Sequence, residues 1–404
     1  MKKRAVTILL CLALALFSIL RAYAQEESGT DAAISENGKQ SIVPAGTNVF
    51  DVPCAAAILI DEDSGTVLYE KNADEQRPIA SITKVMTLLL TFEALEEGKI
   101  SLEDYVPISE HAYSMGGSQI WLEPGEQMSL NDMLKAICVS SANDAAVAVA
   151  EYVGGSEPAF VQKMNEKAAA LGMTQTHFEN ACGLDQEGHL SSARDVAIMS
   201  REMLLHHTEV RDYCSIWTDT LRDGATQLVN TNKLLKSYSG ITGLKTGTTS
   251  KAGVCISASA ERDDLRLIAV VLGSASGKER FEAATALLDY GFANYENAVA
   301  ELPEDAPVTL PVTRGTSDAV TLQYDAPQKC LMPKGQGKTL EVTVELPEVL
   351  QAPVERGAQI GTVHLTNGEE ELQTFSITAA QDVDALSFGY CFGLLVQSLA
   401  LCDG

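Results

Sequence analysis

The chain has 404 residues, 46% of them hydrophobic, and carries 55 Asp and Glu against 29 Lys and Arg, a formal charge of −26. That length supplies core for two or three domains. So acidic a surface repels nucleic acid and gains nothing from an anionic membrane face.

Lys2, Lys3 and Arg4 precede an uncharged run from Ala5 to Leu20, which closes on Ala22-Tyr23-Ala24. A basic start, an apolar stretch and an A-x-A-like end read as a secretory leader, residues 1–24, cleaved after Ala24. The mature chain is therefore expected outside the cytoplasmic membrane. Residues 25–50, rich in Glu, Ser, Gly and Asn, read as a disordered spacer. Of nine cysteines, Cys11 leaves with the leader, and the other eight stand singly. Their spacing suits neither a disulfide framework nor a metal knuckle. With no H-E-x-x-H and no clustered ligands, no metal and no cofactor are predicted.

From Cys54, AAAILI, the turn DEDSG and TVLYEK read as a β-hairpin. The run 81–97 is apolar on nearly every side and predicts a central helix packed all round. Helical patterns follow at 130–137, 141–153, 159–172 and 193–206. Strands are expected at 252–260 and 265–274, and a closing helix at 279–295. Strands at both ends of a helical middle predict an α+β domain over 51–300: one antiparallel sheet completed by distant segments, with helices and an inserted helical subdomain. Beyond Pro303 the pattern turns to period two with Pro and Gly between, predicting a small all-β C-terminal domain over 304–384. The charge-free segment 386–402 sits at the lower edge of membrane-spanning length, and membrane association is the expectation for it.

Ser81 and Lys84 open the central helix on one face. A lysine is costly to bury there, and a helix cap with a snorkelling lysine is the bland account. An S-x-x-K occurs by chance about once in a chain this long. The weight comes from two further elements. Ser141-Ala142-Asn143 opens an Ala-rich helix 60 residues on, and Lys245-Thr246-Gly247-Thr248 lies 104 residues beyond Ser141, just before two β segments.

S-x-x-K, S-x-N and K-T-G in that order are the set of serine β-lactamases and penicillin-binding proteins. LYEKNADEQRPIASITKVMT, VSSANDAAVAVAE, GLDQEGHLSSARDVA and TGLKTGTTSKAG together resemble the low-molecular-weight penicillin-binding proteins, the serine D-alanyl-D-alanine carboxypeptidases. The resemblance covers residues 50–300 and implies the β-lactamase/DD-peptidase fold, with the β domain as a stalk. It implies removal of the terminal D-alanine from peptidoglycan stem pentapeptides, with β-lactams as inhibitors.

A serine hydroxyl is a weak nucleophile until a base takes its proton. No His/Asp pair suggests itself, so Lys84 is the candidate base, its pKa lowered by burial, by the positive helix end and by nearby Lys245. Ser141 would relay a proton to the leaving amine, and Asn143 would orient Lys84 and the substrate amide. Lys245 would attract the substrate carboxylate, and the hydroxyls of Thr246 and Thr248 would bind it. Gly247 would let the substrate backbone lie close. By resemblance, the N–H groups of Ser81 and Thr248 form the oxyanion hole, and Arg280 lies near the carboxylate end of the site.

Three departures stand out. The middle motif is S-A-N, Cys182 in NACGLD stands where some relatives have His, and no E-x-x-x-N follows to activate a deacylating water. A β-lactamase on the same fold and a non-catalytic wall-binding scaffold are the alternatives. The first would need fast deacylation; the second, a Ser81 silent to acylating agents. His189 reads as structural or solvated.

Overall fold

A strand with apolar side chains at consecutive positions needs cover on both faces, and β1 (Ala56–Asp61) has it, all six residues being buried. It turns back into β2 (Val67–Lys71) as an antiparallel hairpin. Short hairpins follow: β3 (Tyr105–Pro107) with β4 (Gln127–Ser129), and β5 (Thr218–Leu221) with β6 (Thr226–Val229). The chain then returns with β7 (Ile241–Thr249), β8 (Gly253–Arg262) and β9 (Leu265–Ser274). The five long strands make one antiparallel sheet in the order β2-β1-β9-β8-β7, so the N-terminal hairpin completes a sheet begun by strands two hundred residues later. This computed structural model describes residues 50–299, 301–325, 329–335, 340–368 and 370–393. The leader and nearly all of the spacer lie outside that range, as does the end of the apolar C-terminal segment.

The helices are α1 (Lys84–Glu96), α2 (Glu110–Tyr113), α3 (Leu130–Lys135), α4 (Asn143–Gly154), α5 (Glu157–Ala170), α6 (Ala193–His206), α7 (Val210–Cys214), α8 (Leu234–Ser237) and α9 (Gly277–Asn294). One sheet face, with Ile58, Ile60, Ile268 and Val270, packs on α1 and the helical insert. The other, with Ala57, Leu59, Leu267 and Val271, is covered by α9 through Ala283, Ala284, Leu287 and Leu288. Period-two alternation within single strands thus feeds two separate cores.

Helix starts carry a second message. Ser156, Ser192 and Ser276 each accept a hydrogen bond from the backbone N–H three residues on, capping α5, α6 and α9. Each such cap contributes about 1 kcal/mol. Among the described helices of twelve or more residues, only α1 and α4 begin without a side-chain cap. Those are the two that carry the S-x-x-K and S-A-N motifs.

After α9 the chain forms β10 (Tyr295–Val299), β11 (Thr309–Thr313), β12 (Ala319–Tyr324), β13 (Lys329–Pro333), β14 (Leu340–Glu345), β15 (Leu350–Gln351), β16 (Gln359–Asn367) and β17 (Glu370–Ala379). Six of these make a sheet in the order β14-β16-β17-β12-β11-β15, and β10 pairs with β13. The all-β C-terminal domain encloses its own core of Leu310, Val320, Val363 and Ile377. Ahead of that domain, β10 starts where α9 stops and pairs antiparallel with β13. Residues 388–393 form a short helix that exposes Phe388, Tyr390 and Phe392. Among the described residues no helix is long and apolar enough to cross a membrane.

Candidate active site

The chain approaches α1 through a tight 3-10 turn, Ala80–Thr83, so Ser81 lies ahead of the α-helix and caps nothing. Residues three apart eclipse one another in such a turn, and Lys84 Nζ reaches Ser81 Oγ at 3.0 Å. The other two Nζ hydrogen bonds go to Asn143 Oδ1 and to the backbone carbonyl of Cys182, both at 2.6 Å. All three acceptors are neutral oxygens, and Lys84 has no solvent exposure. Burial lowers its pKa from the ordinary 10.5 to about 8, against smaller opposing effects of Cys182 and Asp144. The lysine therefore does not snorkel: it is held beside a hydroxyl with no counter-charge bonded to it.

Ser141 and Asn143 arrive on the bend between a wide turn, Ala136–Ser140, and α4. Ser141 takes a left-handed backbone, φ +61°, a conformation that costs a residue with a Cβ about 1 kcal/mol. That twist leaves its hydroxyl free to accept from Lys245 Nζ at 2.8 Å. Asn143 splits its amide, Oδ1 to Lys84 and Nδ2 to the Gly116 carbonyl at 2.7 Å. Neither side chain caps α4.

Lys245 sits on β7, buried, and donates also to the Thr246 carbonyl. Burial first, and then the charge of Lys84, lower its pKa to about 7. Of the causes anticipated for Lys84, burial is the one that acts. The like-charge repulsion is felt by Lys245, whose pKa the Lys84 charge helps to lower.

The hydroxyls of Thr246 and Thr248 are engaged within the chain, Thr246 with Thr231 Oγ1 at 2.7 Å and Thr248 with the Gly247 carbonyl at 2.8 Å. A Cβ on Gly247 would lie 2.9 Å from both the Ile79 carbonyl and the Ser81 nitrogen. The glycine is thus required by the serine turn itself, in addition to any substrate lying along the strand. Arg280, on α9 and buried, donates through Nη1 to the carbonyls of Gly247 and Cys255 at 3.3 and 3.2 Å. It meets the constellation at the strand backbone, and its Nε has no partner among the described groups.

Three contributors carried no sequence signal as site residues. The Cys182 thiol, the part its letter announces, points to Asn180, and it is the carbonyl that serves Lys84. Thr231 joins Thr246 from a loop after β6. His189 is buried, with Nε2 2.7 Å from Thr83 Oγ1 inside the serine turn. Local pattern gives no sign of any of them, since each acts across the fold.

A hydroxyl beside a desolvated lysine, a second hydroxyl–lysine pair facing it and a strand edge open beside both form an arrangement suited to acyl transfer. The comparisons agree on which acyl transfer. Residues 43–276 match the family model for D-alanyl-D-alanine carboxypeptidase, and residues 302–385 match that for the penicillin-binding protein 5 C-terminal domain. The chain belongs to the D-alanyl-D-alanine carboxypeptidase family. It is 42% identical over 337 residues to the D-alanyl-D-alanine carboxypeptidase DacF of Bacillus subtilis, spanning 82% of this chain and 86% of that one. Penicillin-binding protein 5 from Haemophilus influenzae superposes with a TM-score of 0.74 at 32% identity, over 84% of this chain and all of the other. Penicillin-binding protein D2 from Listeria monocytogenes, solved with cefotaxime bound, does so with a TM-score of 0.56 at 34% identity, over 60% of this chain and 98% of that one. The chain is accordingly a serine-type carboxypeptidase, a hydrolase of the low-molecular-weight penicillin-binding kind that acts on the D-alanyl-D-alanine ends of peptidoglycan.

Proposed function

We propose that this carboxypeptidase works through an acyl-enzyme on Ser81. One observation carries the reading: the Lys84 amine, fully buried and bonded only to neutral oxygens, stands 3.0 Å from the Ser81 hydroxyl. In its neutral form it takes the serine proton as Oγ attacks the carbonyl of the penultimate D-alanine. The oxyanion is held by the N–H groups of Ser81 and Thr248. Ser141, bonded to Lys245, passes a proton to the departing D-alanine amine, and the acyl-enzyme is then hydrolysed by water activated within the Lys84/Ser141 set. Lys245 attracts the substrate's terminal carboxylate, whose charge in turn favours the ammonium form of Lys245. Thr246 and Thr248 bind the carboxylate by turning their hydroxyls from Thr231 and the Gly247 carbonyl, with Arg280 behind the strand. Asn143 holds Lys84 and the substrate amide.

The substrate is the stem pentapeptide of peptidoglycan, and β-lactams acylate the same serine. Residues 1–24 act as an export leader and 25–50 as a spacer. The catalytic domain, 51–300, faces the wall on the β-rich stalk, 304–384. The segment 386–402, whose described start exposes Phe388, Tyr390 and Phe392, associates with the outer face of the cell membrane.

An intact-mass time course of residues 25–384 with a small excess of benzylpenicillin, run beside Ser81→Ala, tests the core of this. A lasting adduct absent from the variant, followed by release of D-alanine from a pentapeptide, is the expected result. Rapid loss of the drug without an adduct would make the chain a β-lactamase, and intact drug with no adduct would remove the Ser81 mechanism.

A further inference from the structure

The tautomer of His189 can be deduced. Its Nδ1 lies 3.1 Å from the backbone N–H of Glu179, a group that can only donate, so Nδ1 accepts and the ring proton resides on Nε2. Nε2 faces Thr83 Oγ1 at 2.7 Å and therefore donates to it. The threonine hydroxyl in turn donates a hydrogen bond, 2.9 Å, to the carbonyl of Ala80. Every member of this chain is buried: His189 is 4% exposed, Thr83 0% and Ala80 2%.

The Ala80 carbonyl and the Ser81 N–H belong to one rigid peptide plane. Ala80 is itself held in a left-handed backbone, φ +50°, which costs a residue with a Cβ about 1 kcal/mol and persists only where neighbours enforce it. Gly183 enforces it from one side, running so close that a Cβ there would sit 2.0 Å from the Ala80 oxygen. The hydrogen-bond chain from His189 enforces it from within. Fixing the carbonyl end of that plane fixes the direction of the N–H at its other end, beside Gly247, where the oxyanion forms.

We propose that His189, acting through Thr83, is a positioning residue for the oxyanion hole: it orients the Ala80–Ser81 peptide so that the Ser81 N–H points at the developing charge. This rests on the Ser81 acyl-enzyme reading above. It gives a positioning role to a histidine that neither touches substrate nor exchanges a proton with it. It also accounts for the threonine within S-I-T-K, whose hydroxyl bonds the Ala80 carbonyl and His189.

The test is the acylation of the whole chain by benzylpenicillin, resolved into the pre-complex dissociation constant and the rate constant of the covalent step. Wild type is measured first: if it forms no Ser81 adduct, the acyl-enzyme reading fails before the positioning question arises. His189→Leu and Thr83→Val, which remove the donor and the relay with little change of volume, should each slow the covalent step about tenfold or more, since an absent oxyanion donor costs about 10²–10³. The pre-complex constant should stay within about twofold. His189→Gln, able to donate from the same distance along the side chain, and Thr83→Ser should recover most of the rate. The Leu/Val double variant should be no slower than the slower single, because both break one chain. Folded variants that acylate at the wild-type rate, or a double variant whose loss is the product of the two, would overturn the proposal. Should His189→Leu not fold, the Thr83→Val and Thr83→Ser pair decides the matter alone.

Discussion

Asn143→Asp places a carboxylate 2.6 Å from the amine that is to act as base. At an effective dielectric of about 20, that contact is worth roughly 6 kcal/mol of attraction for the ammonium form. Burial has lowered the Lys84 pKa from 10.5 to about 8, a preference of about 3 kcal/mol for the neutral amine. The new attraction exceeds it, even after part is lost to burying the carboxylate, so the pKa should return to at least its ordinary value. At pH 7 the neutral fraction of Lys84 then falls from about one in ten to about one in three thousand, and acylation by benzylpenicillin should slow about 300-fold. At pH 9.5 the same arithmetic leaves a gap of only about tenfold. Stopped-flow acylation from pH 6 to 9.5, with a melting curve at each end to account for the lost Gly116 hydrogen bond, gives the comparison. A deficit of constant size across that range would refute the argument, because it would mean that proton withdrawal by Lys84 does not set the rate.

Lys245 offers a stability counterpart. Its folded pKa, about 7, lies below its unfolded value, so the unfolded chain binds more protons between about pH 7 and 10.5 and stability rises with pH there. Below pH 7 the buried ammonium costs on the order of 5 kcal/mol. Lys245→Met should therefore be more stable than wild type in urea at pH 6, with the advantage shrinking towards pH 9.5. An advantage independent of pH would point to packing instead. Gly183→Ala puts a Cβ 2.0 Å from the Ala80 carbonyl at a φ of +84°, and should lower stability by about 2 kcal/mol or more and abolish penicillin acylation in whatever folds. Gly98→Ala, at a similar φ but with nothing within 4 Å, should cost about 1 kcal/mol and leave acylation unchanged; acylation is the readout for both. Deleting residues 386–404 should move the protein from vesicle-bound to free in a flotation assay without altering D-alanine release, and unchanged flotation would remove the membrane role of that segment.

The sequence by itself determined whatever rests on neighbours a few residues apart. Helix α6 runs from Ala193 to His206, as its periodicity required, because an apolar stripe and a serine cap act within one or two turns, and β9 runs from Leu265 to Ser274, as its β-branched character required. The three motifs were legible for the same reason, each being a short string with its chemistry in its letters, and their order along the chain carried the family. The tertiary structure decided the rest. That Ser81 stands in a 3-10 turn, and that Ser141 adopts a left-handed backbone, follow from segments packed against them: Gly183 presses on the first, and Lys245 meets the second. That Lys84 has about 8 as its pKa depends on complete burial, which no stretch of sequence can specify alone. The Cys182 carbonyl had no sequence signal at all, since every residue carries the same backbone oxygen and only the fold determines which one a lysine will meet.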